Sequence, residues 1–199
     1  MSARDDIFSA IRARRAKRIP KPPSYRPPAP DNLVQAFAER ARLADAEVRF
    51  INGEADVPQA AAELLRARNM AAIVHVPPSA SVLPWMSAPG LTFEHTTPGA
   101  DDAAIAIAAF GIAETGTLAY PARADSPASW HFRAGFEIAV VRAETILSHM
   151  EDVIAQLKSG DLPSTVNFVT GPSRTGDIEQ TLELGAHGPK ALAVLIVLR

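Results

Sequence analysis

The residue types best suited to chemistry lie in a glycine-bounded segment near the C-terminus, where an apolar stretch gives way to polar residues 171–179. Glycines let backbone N–H groups approach a ligand closely, and hydroxyls and a guanidinium match the oxygens of a carboxylate or phosphate. The segment therefore predicts an anion site at the start of a short helix. The spacing is not that of a nucleotide P-loop. The residues concerned are Gly171, Ser173, Arg174, Thr175, Asp177 and Glu179.

The same segment allows a second interpretation, in which no ligand is bound. Arg174 would then pair with Asp177 or Glu179, and the two acids would only favour a helix N-terminus. The residues alone leave both interpretations open.

A second polar turn, residues 113–117, interrupts a long apolar run and brings Glu114, Thr115, Gly116 and Thr117 to the end of a predicted strand. A carboxylate between buried strands is costly unless it is paired, so Glu114 is a candidate for proton transfer and its neighbours for anion binding. The alternative is a hairpin turn in which backbone N–H groups or Arg174 satisfy Glu114.

A third candidate loop, residues 185–190, precedes the last apolar stretch and contains His187. Histidine titrates near neutral pH, so His187 is a candidate acid, base or hydrogen-bond donor, although a loop histidine is often structural. The other four histidines lack metal-ligand spacing, and no metal site is predicted.

The elements that must position these loops alternate along the chain. Apolar and amphipathic patterns predict helices over 33–44, 57–68 and 143–157. Strands are predicted over 47–51, 71–76, 91–95, 103–109, 116–120, 136–141, 166–170 and 191–198. This alternation predicts an α/β fold, an open and mostly parallel sheet with helices on both faces. Ligands of such sheets bind at the carboxyl ends of the strands, which is where the loops of residues 113–117 and 171–179 are expected.

The N-terminal residues differ from the rest. Residues 3–18 have a helical pattern, and six prolines over residues 20–30 predict an extended linker, so we expect a basic arm over 1–30 and one α/β domain over 31–199. The arm carries a formal charge of +6 and the remainder −8. A solvated helix face explains the basic residues better than nucleic-acid binding does, because the arm has no nucleic-acid motif.

Composition excludes several classes of site. The chain has no cysteine, which excludes disulfides, thiolate zinc sites, cysteine-held iron–sulfur clusters and a cysteine nucleophile. No Gly-x-Gly-x-x-Gly fingerprint or Gly-x-Ser-x-Gly elbow is present, so neither a dinucleotide cofactor nor a serine hydrolase is expected. The sequence shows no apolar span of membrane length and no signal-peptide core, which predicts a cytoplasmic protein.

Taken together, the three loops resemble the lactate-utilisation (LUD) family, in its lactate utilization protein C (LutC/YkgG-like) branch. The matching segments read Ala113-Glu-Thr-Gly-Thr-Leu118, Gly171-Pro-Ser-Arg-Thr-Gly-Asp-Ile-Glu179 and Gly185-Ala-His-Gly-Pro-Lys190, and the N-terminal Arg4–Arg12 also looks like that family's first helix. In one place the chain departs from the family pattern. It reads Ala134-Gly-Phe-Glu137 where the family has Pro-x-x-His, which puts any role of that histidine in doubt here.

The resemblance implies a fold similar to that of sugar-phosphate isomerases and CoA transferases. It also implies a role in oxidising L-lactate to pyruvate, beside two iron–sulfur partner proteins that hold the redox clusters, since this chain has no cofactor of its own. In that role Arg174 would hold a small carboxylate or phosphate, aided by Ser173 and Thr175, and Glu114 or His187 would handle a proton.

Two other functions stay open at this point. One is a free-standing acyl- or CoA-transferase-like enzyme with Glu114 as nucleophile. The other is a non-catalytic adaptor whose anion pocket senses a metabolite and whose basic arm docks an acidic partner surface.

Overall fold

The computed structural model describes residues 3–13, 25–175 and 183–199, without the side chains of Thr175, Glu183 and Leu184. The helices are α1 (Ala3–Ala13), α2 (Leu33–Leu43), α3 (Val57–Ala67), α4 (Ser129–Phe132) and α5 (Met150–Lys158), with 3-10 turns at Glu54–Asp56, Pro78–Ala80, Trp85–Ser87 and Ala143–Thr145. The strands are β1 (Glu47–Ile51), β2 (Ile73–His75), β3 (Thr92–Glu94), β4 (Ala103–Ile107), β5 (Phe110–Ile112), β6 (Thr117–Pro121), β7 (Phe136–Arg142), β8 (Ile146–Leu147), β9 (Val166–Val169), β10 (Arg174–Thr175), β11 (Glu183–Leu184) and β12 (Ala191–Val197).

The main sheet has six strands in the order β1-β12-β7-β4-β2-β3, and every neighbouring pair is parallel. The central strands β4, β7 and β12 are almost continuously apolar because helices or a second layer cover both of their faces. The predicted α/β fold with an open, mostly parallel sheet is confirmed.

Alternate residues of the central strands divide the core in two. Ile138 and Leu195 share one apolar cluster with Leu64 of α3, whereas Ala139 and Ile196 share the other with Phe37 of α2. Since side chains alternate across a strand, α2 and α3 lie on opposite faces of the main sheet. This confirms the prediction of helices on both faces.

A second sheet of four strands, in the order β8-β5-β6-β9, packs on the α2 side of the main sheet. Its β5–β6 and β6–β9 pairs are antiparallel, and its β5–β8 pair is parallel. The strands predicted over 116–120 and 166–170 both belong to this sheet. The sequence pattern identified them as strands but did not separate them from the parallel sheet.

The helix predicted over 143–157 is wrong in its first half. A 3-10 turn covers Ala143–Thr145, and Ile146 of β8 pairs with Gly111 of β5. The helix α5 therefore begins only at Met150. The apolar residue at 146 fits a helical period, but it is buried by strand pairing at the edge of the second sheet. At the true start of α5, the His149 N–H donates to the Asp152 carboxylate at 3.1 Å.

The N-terminal helix α1 is present as predicted but has no buried residue. The predicted linker, residues 20–30, is described from residue 25 onward. Its last part is fixed to the body by an ion pair from Arg26 to Asp152 at the start of α5. Among the described residues, no helix has the length and apolarity that crossing a membrane requires.

Candidate functional site

The turn at residues 113–117 is shaped by its contact with α2. Gly116 has φ +69°, and a Cβ there would lie 2.3 Å from the Ala41 nitrogen, so only glycine fits against the helix backbone. The hydroxyls of Thr115 and Thr117 are 2.7 Å apart, and that of Thr117 lies 2.6 Å from the Thr170 hydroxyl. This chain of hydroxyls brings two of the predicted segments together, as expected.

Glu114 is exposed, not held between buried strands as the sequence suggested, and its N–H donates to the Ser148 carbonyl. Its carboxylate lines a cavity of about 370 Å³ between the turn, the start of α2 and the proline segment, with Glu39, Arg40 and the buried His149. The structure describes no contact between Glu114 and Arg174.

The segment after β9 also packs on the end of α2. Gly171 has φ +74°, and a Cβ there would lie 2.1 Å from the Ala44 carbonyl oxygen. Arg174 makes an ion pair with Asp45 in the turn that follows α2. Asp177 and Glu179 lie outside the described residues, as does the side chain of Thr175. The described partner of Arg174 is thus an acid that the sequence analysis did not consider.

The third predicted loop joins the second through Ser173. The Ser173 N–H donates to the Pro189 carbonyl at 2.8 Å, the Gly185 N–H donates to the Ser173 carbonyl at 3.1 Å, and the His187 N–H reaches the Ser173 hydroxyl at 3.4 Å. The loops of residues 171–174 and 185–190 are therefore parts of one structure. Glu114 and His187, predicted as catalytic, belong to different surroundings.

These loops lie at the amino edge of the main sheet, because they contact residues that precede β1 and β12. The segment after β9 was expected at the carboxyl end of a parallel strand, and that expectation was wrong, since β9 belongs to the second sheet. Here the structure has a cavity of about 290 Å³, which we call the amino-edge cavity. It is lined by Ala100, Phe132, Arg133, Ala134, Gly135, Gly185, Ala186, Gly188 and Lys190.

The amino-edge cavity has cationic walls. Arg133 and Lys190 line it, and the described lining contains no acidic residue. Lys190 has a long contact of 3.4 Å with Asp101, whose side chain is 96% exposed. Such an exposed pair exchanges partners at little cost, so Lys190 is available to an anion.

A buried polar cluster, which the sequence analysis missed, lies between the two sheets. The Tyr120 hydroxyl of β6 donates to the Glu137 carboxyl of β7 at 2.7 Å, and the Tyr120 ring stacks on His131 of α4 with centroids 4.4 Å apart. The Asn167 amide lies 3.1 Å from His131 Nε2. We call Tyr120, His131, Glu137 and Asn167 the interlayer cluster.

Burial controls the ionisation of this cluster. Loss of hydration raises the pKa of Glu137 to about 8, against a smaller lowering by the Tyr120 hydrogen bond. Burial also raises the pKa of Tyr120 well above its ordinary value and lowers the pKa of His131 to about 4. At neutral pH the cluster is mostly uncharged.

One signal in the sequence points to the interlayer cluster. Glu137 is an acid in the otherwise apolar stretch 136–141, and a carboxyl group in a strand buried on both faces needs a partner. The sequence analysis noted Glu137 only as a departure from a family pattern. Tyr120 and His131 could not be assigned to it, because their contacts depend on the packing of the second sheet.

The described residues form no group of three or more metal-ligating side chains.

Comparison with known proteins gives the family. Residues 99–197 match the model of the LUD domain family. Lactate utilization protein C of Geobacillus kaustophilus is 36% identical over 98 residues, which cover 47% of this chain and 41% of that protein. The protein of the same name from Bacillus licheniformis is 37% identical over 91 residues, covering 43% and 38%. The chain thus matches about two fifths of the length of these curated relatives.

A solved structure supports the fold over a longer range. The crystal structure of a DUF162 family protein from Deinococcus radiodurans matches with a TM-score of 0.62, covering 86% of this chain and 99% of that one. At 23% sequence identity this likeness establishes the fold alone. The match to the family model and the similar relatives agree with the three motifs of the sequence, and residues 99–197 belong to the LUD domain family.

Proposed function

We propose that this chain takes part in lactate utilisation, as a component of a system that oxidises L-lactate to pyruvate, and that it binds a small carboxylate in the amino-edge cavity. The observation that carries the role is the similarity to proteins named lactate utilization protein C. The match to the LUD domain model, residues 99–197, includes the loop of residues 185–190 that lines this cavity.

The walls of the cavity support a carboxylate. Arg133 offers a planar set of hydrogen-bond donors, and Lys190 offers a compact positive charge. Both residues are exposed, so they keep much of their hydration in the absence of a ligand. Gly185 and Gly188 let the ligand approach the backbone closely. Arg174 was predicted to hold the carboxylate, but it is paired with Asp45 and does not line this cavity, so we assign that role to Arg133 and Lys190.

We assign proton handling to the imidazole of His187, which lies in the same loop. The backbone N–H of His187 contacts the Ser173 hydroxyl. Glu114 lines another cavity, and we give it no part in this site. The electrons of lactate oxidation need an acceptor, and a chain without cysteine cannot hold a cysteine-ligated iron–sulfur cluster. We therefore propose that iron–sulfur partner proteins accept them.

Genetic complementation tests this proposal. In the native host, deletion of the gene is expected to abolish growth on L-lactate but not on glucose, and the unaltered gene is expected to restore it. Lys190→Ala removes one of the two cavity cations and is expected not to restore growth. Lys158→Ala, at an exposed position of α5, is the matched control and is expected to restore growth fully. Normal growth of the deletion strain on L-lactate would contradict the proposal.

A further inference from the structure

A second cavity lies at the opposite, carboxyl edge of the main sheet, between the ends of β4 and β7 and the second sheet. It has a volume of about 290 Å³ and is lined by Ala108, Val140 and Arg142 from the main sheet and by Tyr120 and Arg123 from the second layer. We call it the carboxyl-edge cavity. In open parallel sheets this edge is where ligands generally bind.

A smaller cavity of about 50 Å³ adjoins the first one. The two share Tyr120, Pro121, Arg123 and Ser126 as lining residues, and the smaller cavity reaches His131 and Asn167 of the interlayer cluster. This inner cavity has room for a group of only a few heavy atoms. A molecule in the carboxyl-edge cavity can therefore extend one end to the buried cluster.

Several buried polar atoms around these cavities have no hydrogen-bond partner among the described residues. They include His131 Nδ1 and Glu137 Oε2 in the interlayer cluster and Ser79 Oγ in the wall of the carboxyl-edge cavity. Glu137 is 0% exposed and His131 2%. Buried polar atoms in folded proteins are nearly always paired, and of these three residues Ser79 and His131 line the cavities, where a polar ligand would supply a partner.

The charges around the cavities indicate what kind of ligand fits. Arg123 is held by Asp125 through two hydrogen bonds of 2.9 and 2.8 Å, and Arg142 is held by Glu54 at 2.7 Å. All four residues line the carboxyl-edge cavity, so its formal charges balance. Because both carboxylates are themselves part of the lining, an anion would meet as much negative as positive charge here, which favours an uncharged molecule.

The inner end is uncharged as well. Burial lowers the pKa of His131 to about 4 and raises that of Glu137 to about 8, so near pH 7 neither carries a full charge. Tyr120, the other ionisable group that faces them, also keeps its proton. The site thus offers hydrogen-bonding groups without net charge, in contrast to the cationic amino-edge cavity.

We propose that the carboxyl-edge and inner cavities together form a second ligand site, which binds a small uncharged molecule through its carbonyl or hydroxyl oxygens. The inner oxygen meets His131 beside the Tyr120–Glu137 pair, and the outer part meets the hydroxyls of Ser79 and Ser126. This site is separate from the carboxylate site of the proposed function and lies at the other edge of the same sheet.

A pair of probes of the same shape and different charge tests the proposal on the full chain. Lactamide is uncharged, and L-lactate is its anionic counterpart. Titration of each, followed by the NMR shifts of backbone amides, is expected to separate the two sites. Lactamide should shift the amides of Ala108 and Ala109 saturably, and L-lactate should shift those of Gly185 and Gly188.

Variants assign the shifts to the sites. Ser79→Ala or Ser126→Ala removes one hydrogen bond to the uncharged ligand and is expected to weaken lactamide binding by about tenfold. Lys190→Ala is the control, expected to weaken L-lactate binding and to leave lactamide binding unchanged. Absence of a saturable lactamide shift at Ala108 and Ala109, or no effect of either serine variant, would overturn this inference. Absence of the L-lactate shift at Gly185 would instead count against the proposed function.

Discussion

At the scale of single residues, the motif glycines have a structural reason that does not involve a ligand. Gly116 and Gly171 both adopt positive φ and both lie against the backbone of the end of α2, at Ala41 and Ala44. The sequence analysis interpreted glycines in these segments as room for an anion. In the structure these two provide close packing of the second sheet on the helix.

Three glycine-to-alanine variants separate backbone strain from packing. Gly53→Ala should leave stability nearly unchanged, because the position has an extended backbone and no atom within 4 Å of the added Cβ. Gly90→Ala should cost about 1 kcal/mol, because φ is +84° but the space is open. Gly116→Ala should cost about 3 kcal/mol or more, because strain and a clash with α2 add together. Urea unfolding measures all three, and equal losses for Gly90 and Gly116 would refute the packing argument.

At the scale of elements, the sequence predicts well where one pattern has one structural meaning. The strand at Glu47–Ile51 and the helices at Leu33 and Val57 are found with ends within a residue of those predicted, because apolar period and capping agree there. Around Ile146 they do not agree. The apolar Ile146 fits a helix and an edge strand equally well in the sequence, and only its pairing with Gly111 shows that it belongs to a strand.

The cap of α2 can be tested directly. The Asn32 side chain accepts a hydrogen bond from the Gln35 N–H at 3.0 Å, as expected for an N-cap. Asn32→Ala should therefore destabilise the chain by about 1 kcal/mol, whereas Asn32→Asp, which keeps the acceptor, should be nearly neutral. Urea unfolding again gives the free energies. If both variants lose the same stability, the acceptor on residue 32 contributes little, and the buried face of α2 around Phe37 is what stabilises the helix.

At the scale of the whole molecule, the candidate sites depend on how the two sheets meet, and this limited what the sequence could predict. The hydroxyl contact between Thr117 and Thr170 was within reach of sequence reasoning, since the two segments were expected to be neighbours. The two cavities were not, because the residues that line each of them come together only after the second sheet and α4 have packed on the parallel sheet. No local pattern contains that arrangement.

The same packing makes the stability of the molecule depend on pH in a particular way. The pKa of Glu137 is about 8 in the folded protein, whereas its ordinary value is 4.5. As pH rises between these values the unfolded chain loses this proton first, so the free energy of unfolding falls. His131 has the opposite effect between 6.5 and about 4, because the unfolded chain takes up a proton that the folded chain refuses. Their effects largely cancel between pH 4.5 and 6.5.

Above pH 6.5 Glu137 is the larger contributor, and the free energy of unfolding should fall by about 1 kcal/mol between pH 6.5 and 8. Glu137→Gln keeps the acceptor for the Tyr120 hydroxyl but has no proton to lose, so this decline should disappear. Urea unfolding of both proteins at the two pH values gives the comparison. An equal decline in both would show that Glu137 is ionised in the folded protein at neutral pH, and the cavity beside it would then be charged and unsuited to the uncharged ligand proposed for it.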